Sequence, residues 1–384
     1  MTVYDAITVG AGPAGSTAAR ILAQSGLHVL LLERAVFPRD KPCGGGVTHR
    51  ARQLMPDGFA DVVEQEVQEA RFSYKHKPTF SRSSVEPLVY MTQRRHLDAF
   101  LAGRAVAAGA TFRDGVRVTA VVPDGNVCRV ETGTESCSAR VVVGADGANG
   151  IVARSLGLQP AGGAWVALEG NSNDARRVAQ WDRALGIDLG SVPGGYGWLF
   201  TKGDHVNVGA GGWRSSGPTL RAKLDEVCRH YGVRADSLCN LRGHTLPIRR
   251  RGAPLTAGNV MLAGDAAALV DPLSGEGIHS ALLSGMLAAR AASEYLESAA
   301  SVTRYDAWIE GELGTELETS RQLQKLFHRS PRLYLSILKR SPRTWQKLVG
   351  FCRGDESYSS IKGSFGPLGA VATLAGRAIP DQRS

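Results

Sequence analysis

The run GAGPAG places glycines at 10, 12 and 15, and Glu33 follows 21 positions after Gly12. These residue types at this spacing suit a dinucleotide. Gly10 makes the tight turn, Gly12 lets a pyrophosphate reach the backbone, and Gly15, beside Ala14, lets the following helix pack on its sheet. The helix N-terminus offers N–H groups and a positive dipole end to the phosphates. Glu33, next to Arg34, is placed to accept hydrogen bonds from a ribose hydroxyl pair. A second stretch, DKPCGGGV at 40–47, sets the thiol of Cys43 before Gly44, Gly45 and Gly46. Three consecutive glycines are costly to order. They suit either a flexible loop or a backbone shaped to lie against something flat.

These groups need strands and helices to hold them. YDAITVGAGPAGSTAARILAQSGLHVLLLER reads as strand, glycine turn, small-residue helix and strand, a βαβ unit. TQRRHLDAFLAGRAVAAGA, 92–110, reads as a helix that starts near Arg94. NVCRVETGTESCSARVVVGADG is a hairpin leading to a buried strand, with Asp146 and Gly147 at its end. A later strand ends at Gly264 and Asp265, and a loop containing Pro272, Gly275 and Gly277 feeds a long helix at Ile278. Residues 165–250 carry short β patterns and many glycines, interrupted by one helix near 217–231. The pattern is helical beyond about 303.

Composition bounds the class. The chain has 384 residues, 43% hydrophobic and 21% charged, as expected of a globular protein with a large core. No secretory signal or spanning segment is expected, which favours a cytoplasmic protein. The six cysteines have no C-x-x-C spacing, so free thiols are expected and a metal site is not. Cys128 and Cys137 flank the hairpin turn and could face each other. Net charge is +9, and residues 321–384 hold 12 Lys/Arg against 3 Asp/Glu, so the basic excess sits in the tail. LFHRSPRLYLSILKRSPRTWQKLVGFCR mixes apolar and basic residues, with Ser-Pro steps that start or break helices. Helices of this kind either lie on anionic lipid as a peripheral membrane contact or pack over a neighbouring domain with a solvated basic face. No nucleic-acid module accompanies the charge.

The order of these motifs (N-terminal fingerprint, mid-chain Asp146–Gly147, late Gly264–Asp265) resembles the FAD-dependent monooxygenase and reductase superfamily. RDKPCGGGV together with PGGYGWLFTKGDHVNVGAGG, 193–212, is similar to the geranylgeranyl reductase family, with Tyr196, Trp198, Phe200, Lys202, Gly203, Asn207, Val208 and Gly209 matching and Thr201 in place of the usual proline. The resemblance covers roughly residues 1–330. It implies an α/β fold: a Rossmann-like FAD-binding domain at 1–72, 92–164 and 252–302, an inserted, mainly antiparallel substrate sheet at 73–91 and 165–251, and a helical basic region at 303–384. It also implies that Asp265 contacts the ribityl or ribose part of FAD, that Gly275, Gly277 and Ile278 present N–H groups to the flavin pyrimidine edge, that Arg94 reaches the pyrophosphate, and that Val118 lies beside the adenine. Cys43, Gly44 and Gly46 would line the flavin.

The implied reaction is saturation of carbon–carbon double bonds in an isoprenoid chain or a prenylated lipid or quinone. Reduced FAD supplies hydride and NAD(P)H or another carrier supplies electrons. Residues 196, 198 and 200 alternate, so their rings share one face and form an apolar wall. Gly195 and Gly197 leave the opposite face bare for another element or for the flavin. Cys43 is either the proton donor or a packing contact, and His279 reads as structural. The rivals are a monooxygenase or halogenase on the same fold, although the halogenase Trp-x-Trp-x-Ile-Pro motif is missing, and a non-catalytic binder of flavin and isoprenoid.

Overall fold

Apolar runs of four to seven residues, buried on both faces, make parallel strands. The computed structural model, which describes residues 3–298 and 301–365, has a core of such strands, Val29–Leu32 and the buried ends of Val3–Val9 and Ser136–Gly144, within a parallel set of five. Thr111–Arg113, Val29–Leu32, Val3–Val9, Ser136–Gly144 and Val260–Leu262 lie side by side in that order, all parallel. The hairpin strands Val118–Asp124 and Val127–Thr132 and the short strand Thr256–Ala257 complete an eight-stranded sheet. Helix Pro13–Gln24 opens directly after the first strand. Its small residues let it touch helix Ile278–Ser298, where a Cβ on Gly285 would stand 2.4 Å from the Ala14 carbonyl oxygen. In the hairpin, Cys128 is opposite Ala139 and Cys137 opposite Val130. The two thiols therefore do not face each other, and the Cys128 thiol donates to Asn259 Oδ1 at 2.8 Å.

A second sheet of seven strands runs in the order Cys239–Arg249, Ala161–Ser172, Val206–Trp213, Tyr196–Thr201, Ala184–Leu189, Glu69–Tyr74 and Lys77–Ser83. All its pairings are antiparallel except that of Ala184–Leu189 with Glu69–Tyr74. Strand Glu69–Tyr74 crosses the boundary expected at residue 73 and lies wholly in this sheet. The chain thus adopts the α/β fold with an inserted, mainly antiparallel sheet. Leu185, Ile187 and Leu189 lie opposite Phe200, Trp198 and Tyr196, so alternation puts all six on one face. The element that fills the other face is helix Leu220–Tyr231: a Cβ on Gly197 would stand 2.4 Å from a methyl of Val227.

A three-stranded sheet, Gly46–Thr48, Val89–Met91 and Gln65–Val67, joins the two larger ones. The tail forms helices Thr315–Arg329, Pro331–Arg340, Pro342–Arg353 and Tyr358–Ser364, and both Ser-Pro steps begin helices. Leu335, Leu338 and Trp345 pack into one cluster with Phe72 and Leu185 of the seven-stranded sheet. Burying these side chains holds the tail down by roughly 1.5–3 kcal/mol each. Among the described residues no helix is long and apolar enough to cross a membrane. The tail expectation for 366–384 lies outside the described residues.

Candidate functional site

The three fingerprint glycines do three different jobs. Gly10 has φ +101°, and a Cβ there would stand 2.3 Å from the carbonyl oxygen of Ala145. A Cβ on Gly15 would stand 1.9 Å from the Gly10 carbonyl, so the helix can start so close only without a side chain. At Gly12 there is room: the nearest atoms to a Cβ are Arg94 Nη2 at 3.8 Å and Arg39 Nη2 at 4.0 Å. The helix cap at Gly12 has no side-chain hydrogen bond. This is a cradle with orphan N–H groups and two guanidiniums, matched to a pyrophosphate.

Arg94 is held by Asp98, with Nε and Nη2 donating to the carboxylate at 2.9 and 2.8 Å. Arg39 Nη1 reaches the same carboxylate at 2.6 Å. Burial opposes ionisation of Asp98, but the Arg94 and Arg39 guanidiniums outweigh it and hold its carboxyl below the usual range. Arg39 Nη2 also lies 3.8 Å from Glu33 Oε2, so the two guanidiniums are held in place between two carboxylates. Glu33 accepts from the backbone N–H of Ala11 at 3.0 Å and of Ala35 at 3.1 Å. Each carboxylate oxygen retains a further lone pair for a ribose hydroxyl. Asp146 uses Oδ2 on its own loop, accepting from the N–H of Ile151 at 2.5 Å and Val152 at 3.0 Å, while its buried Oδ1 has no partner among the described residues.

From the cradle one cavity of ≈ 820 Å³ continues between the two sheets. Asp265 lines it, salt-bridged to Lys41 at 3.1 Å and 3.7 Å from His244 Nε2. Burial works against its ionisation, yet Lys41 and His244 hold it well below the ordinary carboxylate range. Gly275, Gly277 and Ile278 line the same cavity where the long helix begins. Its free first-turn N–H groups suit the negative charge of a reduced flavin.

Past Asp265 the cavity meets the glycine run. Each missing Cβ there faces protein: Gly44 would meet the Phe200 ring at 2.6 Å, Gly45 (φ +76°) the Thr92 carbonyl at 2.1 Å, and Gly46 a Val89 methyl at 2.9 Å. The run is therefore shaped first against Phe200 of the seven-stranded sheet and the segment 89–92, which carries a strand of the three-stranded sheet, while its open side lines the cavity. The Cys43 N–H donates to Glu169 Oε1 at 2.6 Å. Lys202 Nζ donates to the carbonyls of Cys43 at 3.3 Å and Thr92 at 3.1 Å. Burial pushes the Glu169 carboxyl up, against the pull of Lys202, and burial pushes the Lys202 ammonium down. An acid and a base, each shifted towards neutrality, thus sit beside the Cys43 backbone.

Beyond this point the walls are apolar. Tyr196, Trp198 and Phe200 form one side, continued by Ile187 and Phe72 of the neighbouring strands. Trp198 is edge-on to Tyr196, stacked on Phe200, and donates Nε1–H to Asn207 at 2.8 Å. Helices of the tail close the other side with Leu338, Trp345 and Phe351. Arg50 fastens them to the cofactor loop: it pairs with Glu276 at 2.8 Å and lies over Phe351 at 4.1 Å. Tyr358 donates to Asp271 at 3.0 Å, the carboxylate around which the Leu273–Ser274 turn is folded.

Of the residues chosen from sequence, Gly10, Gly12, Ala14, Glu33, Arg34, Cys43, Gly44, Gly46, Arg94, Val118, Asp146, Gly147, Gly264 and Asp265 line the cavity, as do the Gly275–Ile278 group and the three aromatics. Gly15 and Pro272 do not. Arg39, Lys41, Glu169 and His244 line it without having been assigned a role, and Lys202 holds the Cys43 carbonyl of its wall. Glu169 carried a signal: it is in phase with Trp165 and Ala167 on one strand, an acid on an otherwise apolar face.

The comparisons agree with this geometry. The FAD binding domain family matches residues 3–181. The digeranylgeranylglycerophospholipid reductase 1 of Methanopyrus kandleri is 32% identical over 353 residues, covering 84% of this chain and 90% of that protein. The menaquinone reductase of Mycolicibacterium smegmatis is 32% identical over 337 residues, covering 80% of each. A geranylgeranyl bacteriochlorophyll reductase-like protein of Thermoplasma acidophilum has the same fold, with TM-score 0.79 at 24% identity over 98% of this chain and 99% of that one. The match to an FAD binding domain covers the strand, turn and helix that form this cradle, and the chain belongs to the geranylgeranyl reductase family of FAD-dependent oxidoreductases.

Proposed function

We propose that the protein saturates carbon–carbon double bonds in the isoprenoid chain of a lipid or quinone. One observation carries this reading: a single cavity joins the pyrophosphate cradle to an aromatic and aliphatic trough, with a buried acid at the junction. The relatives named for reduction of a digeranylgeranylglycerophospholipid and of menaquinone support it.

FAD held by the cradle of Gly12, Arg39, Arg94 and Glu33, once reduced by NAD(P)H or another carrier, would supply hydride. The chain supplies position, dryness and a proton. Trp198 and Phe200 orient the prenyl chain across their rings, and the tail helices exclude water. Glu169, whose carboxyl is pushed up by burial, would carry the proton at the oxygen not engaged by Cys43 N–H, with the Lys202 ammonium bonded to the Cys43 carbonyl on the same segment. Hydride on one alkene carbon and this proton on the other complete the addition. Cys43 contributes its backbone to this arrangement, and its thiol packs beside it.

The test is anaerobic incubation of the dithionite-reduced protein with geranylgeranyl lipids, followed by mass spectrometry. A gain of about 2 Da per bond is expected. Glu169→Gln should still bind and reduce FAD but lose that gain, whereas Cys43→Ser should keep it. A product heavier by about 16 Da, formed only with oxygen, would replace this reading with a monooxygenase.

A further inference from the structure

A second cavity, ≈ 330 Å³, opens at the far edge of the seven-stranded sheet, between the hairpin of strands Glu69–Tyr74 and Lys77–Ser83 and the tail helix Pro331–Arg340. We propose that it binds the phosphoryl or diphosphoryl head group of the prenyl substrate; this rests on the isoprenoid reading above and narrows it.

Charge is the first argument. Lys77, Arg332, Lys339 and Arg340 line this cavity, and no carboxylate does. Elsewhere the protein pairs its site cations, Arg94 with Asp98 and Arg50 with Glu276. Among the described residues, these four have no ion-pair partner, and only Arg332 has a ring contact, over Tyr74 at 5.1 Å. Four like charges around one hollow repel one another unless an anion joins them.

Helix electrostatics do not account for the cluster. Lys339 and Arg340 sit in the last turn, where a cation is favoured by the dipole. Arg332 sits in the first turn, where it is disfavoured, and Lys77 comes from a different element. Arg332, Leu335, Ser336, Lys339 and Arg340 follow the i, i+3, i+4, i+7, i+8 spacing of one helix face, and that face is turned to the hollow.

Position is the second argument. Leu338 lines the main cavity, and Leu335, one turn earlier on the same helix, lines the second. Leu189 lines the main cavity, and its register partner Tyr74 lines the second. The apolar trough and the basic hollow therefore lie on either side of one wall, formed by Leu335 and Leu338 of the helix and by the paired Tyr74 and Leu189. A polyprenyl chain with its head group in the hollow lays the isoprene units remote from that group beside Glu169 and the cofactor. Phosphate oxygens accept from guanidinium and ammonium groups strongly. A quinone ring offers no such anion, so the hollow selects a prenyl diphosphate or phospholipid.

The experiment measures binding of geranylgeranyl diphosphate and geranylgeraniol to the FAD-loaded full chain and to the triple variant Arg332→Gln, Lys339→Gln, Arg340→Gln. All three positions are exposed, so folding is unaffected. The wild type should bind the diphosphate about tenfold or more tightly than the alcohol. The variant should lose that preference and keep its affinity for the alcohol. Inorganic pyrophosphate should compete with the diphosphate on the wild type alone. Equal binding of the two ligands by the wild type overturns the head-group site and leaves the isoprenoid reading standing. A wild type that binds neither overturns both. A variant that keeps the preference but loses binding to phosphatidylglycerol vesicles overturns the proposal in favour of a bilayer contact.

Discussion

The two halves of the cavity are built by different means. The cofactor half is backbone and charge: a turn at Gly10, an open position at Gly12, and guanidiniums organised by one carboxylate. The substrate half is side-chain surface assembled from strands and tail helices up to about 270 residues apart, such as Phe72 and Trp345. The first recognises a part common to all dinucleotides and so tolerates few substitutions. The second recognises shape and apolarity, which several residue sets could supply. Variants should therefore separate them, with affinity for FAD following one half and affinity for the prenyl chain the other.

The largest effect belongs to the cradle. Gly12→Asp adds a side chain where there is space, so the fold should hold and the circular dichroism spectrum should match the wild type. Its carboxylate would sit among the phosphates and beside Arg39 and Arg94. FAD affinity should fall about 100-fold or more. Retention of wild-type affinity would show that the pyrophosphate is not held at Gly12.

The same contrast explains what was legible in the sequence. GAGPAG, Glu33 and the late Gly264–Asp265 are local signals, because a tight turn or an open phosphate site demands glycine whatever surrounds it. The aromatic strand was legible because period-2 alternation places 196, 198 and 200 on one face. The glycine run 44–46 was half legible. Its intolerance of side chains follows from the sequence, but the partners that impose it, Phe200, the Thr92 carbonyl and Val89, come from other elements. Arg39 shares Asp98 with Arg94 across 59 residues of chain, and no spacing rule reports such a pairing. The tail left two readings open, lipid surface or packed helices. Leu335, Leu338 and Trp345 in the sheet's cluster make it a wall of the trough.

That wall supplies the next test. Trp345 is buried, and its Nε1–H donates to the Ser83 carbonyl at 3.2 Å. Trp345→Ala should cost about 3–5 kcal/mol of stability. It should also raise KM for the prenyl substrate while FAD affinity stays unchanged. If FAD affinity falls in parallel, the halves are not separable, and the tail supports the cradle through Arg50, Glu276 and Phe351.

The smallest effect comes from two histidines, one in each half. His279 opens the long helix of the cofactor domain, and burial with the Arg50 charge outweighs Glu276 to push it down to about 4. His328 lies edge-on to Trp213 in the tail, and burial pushes it down to about 4 despite a bond to the Gly194 backbone. Both are neutral when folded, whereas the unfolded chain takes up protons near the ordinary value of about 6.5. Their neutral burial is therefore without cost above that value, and stability is lost as pH falls from about 6.5 towards 4. His279→Gln and His328→Gln should each flatten the decline of melting temperature across this window relative to the wild type. If the chain melts in one transition, both variants flatten the same curve. If the halves melt separately, each variant flattens only its own. Curves parallel to the wild type for both would mean that neither histidine is kept neutral by the fold.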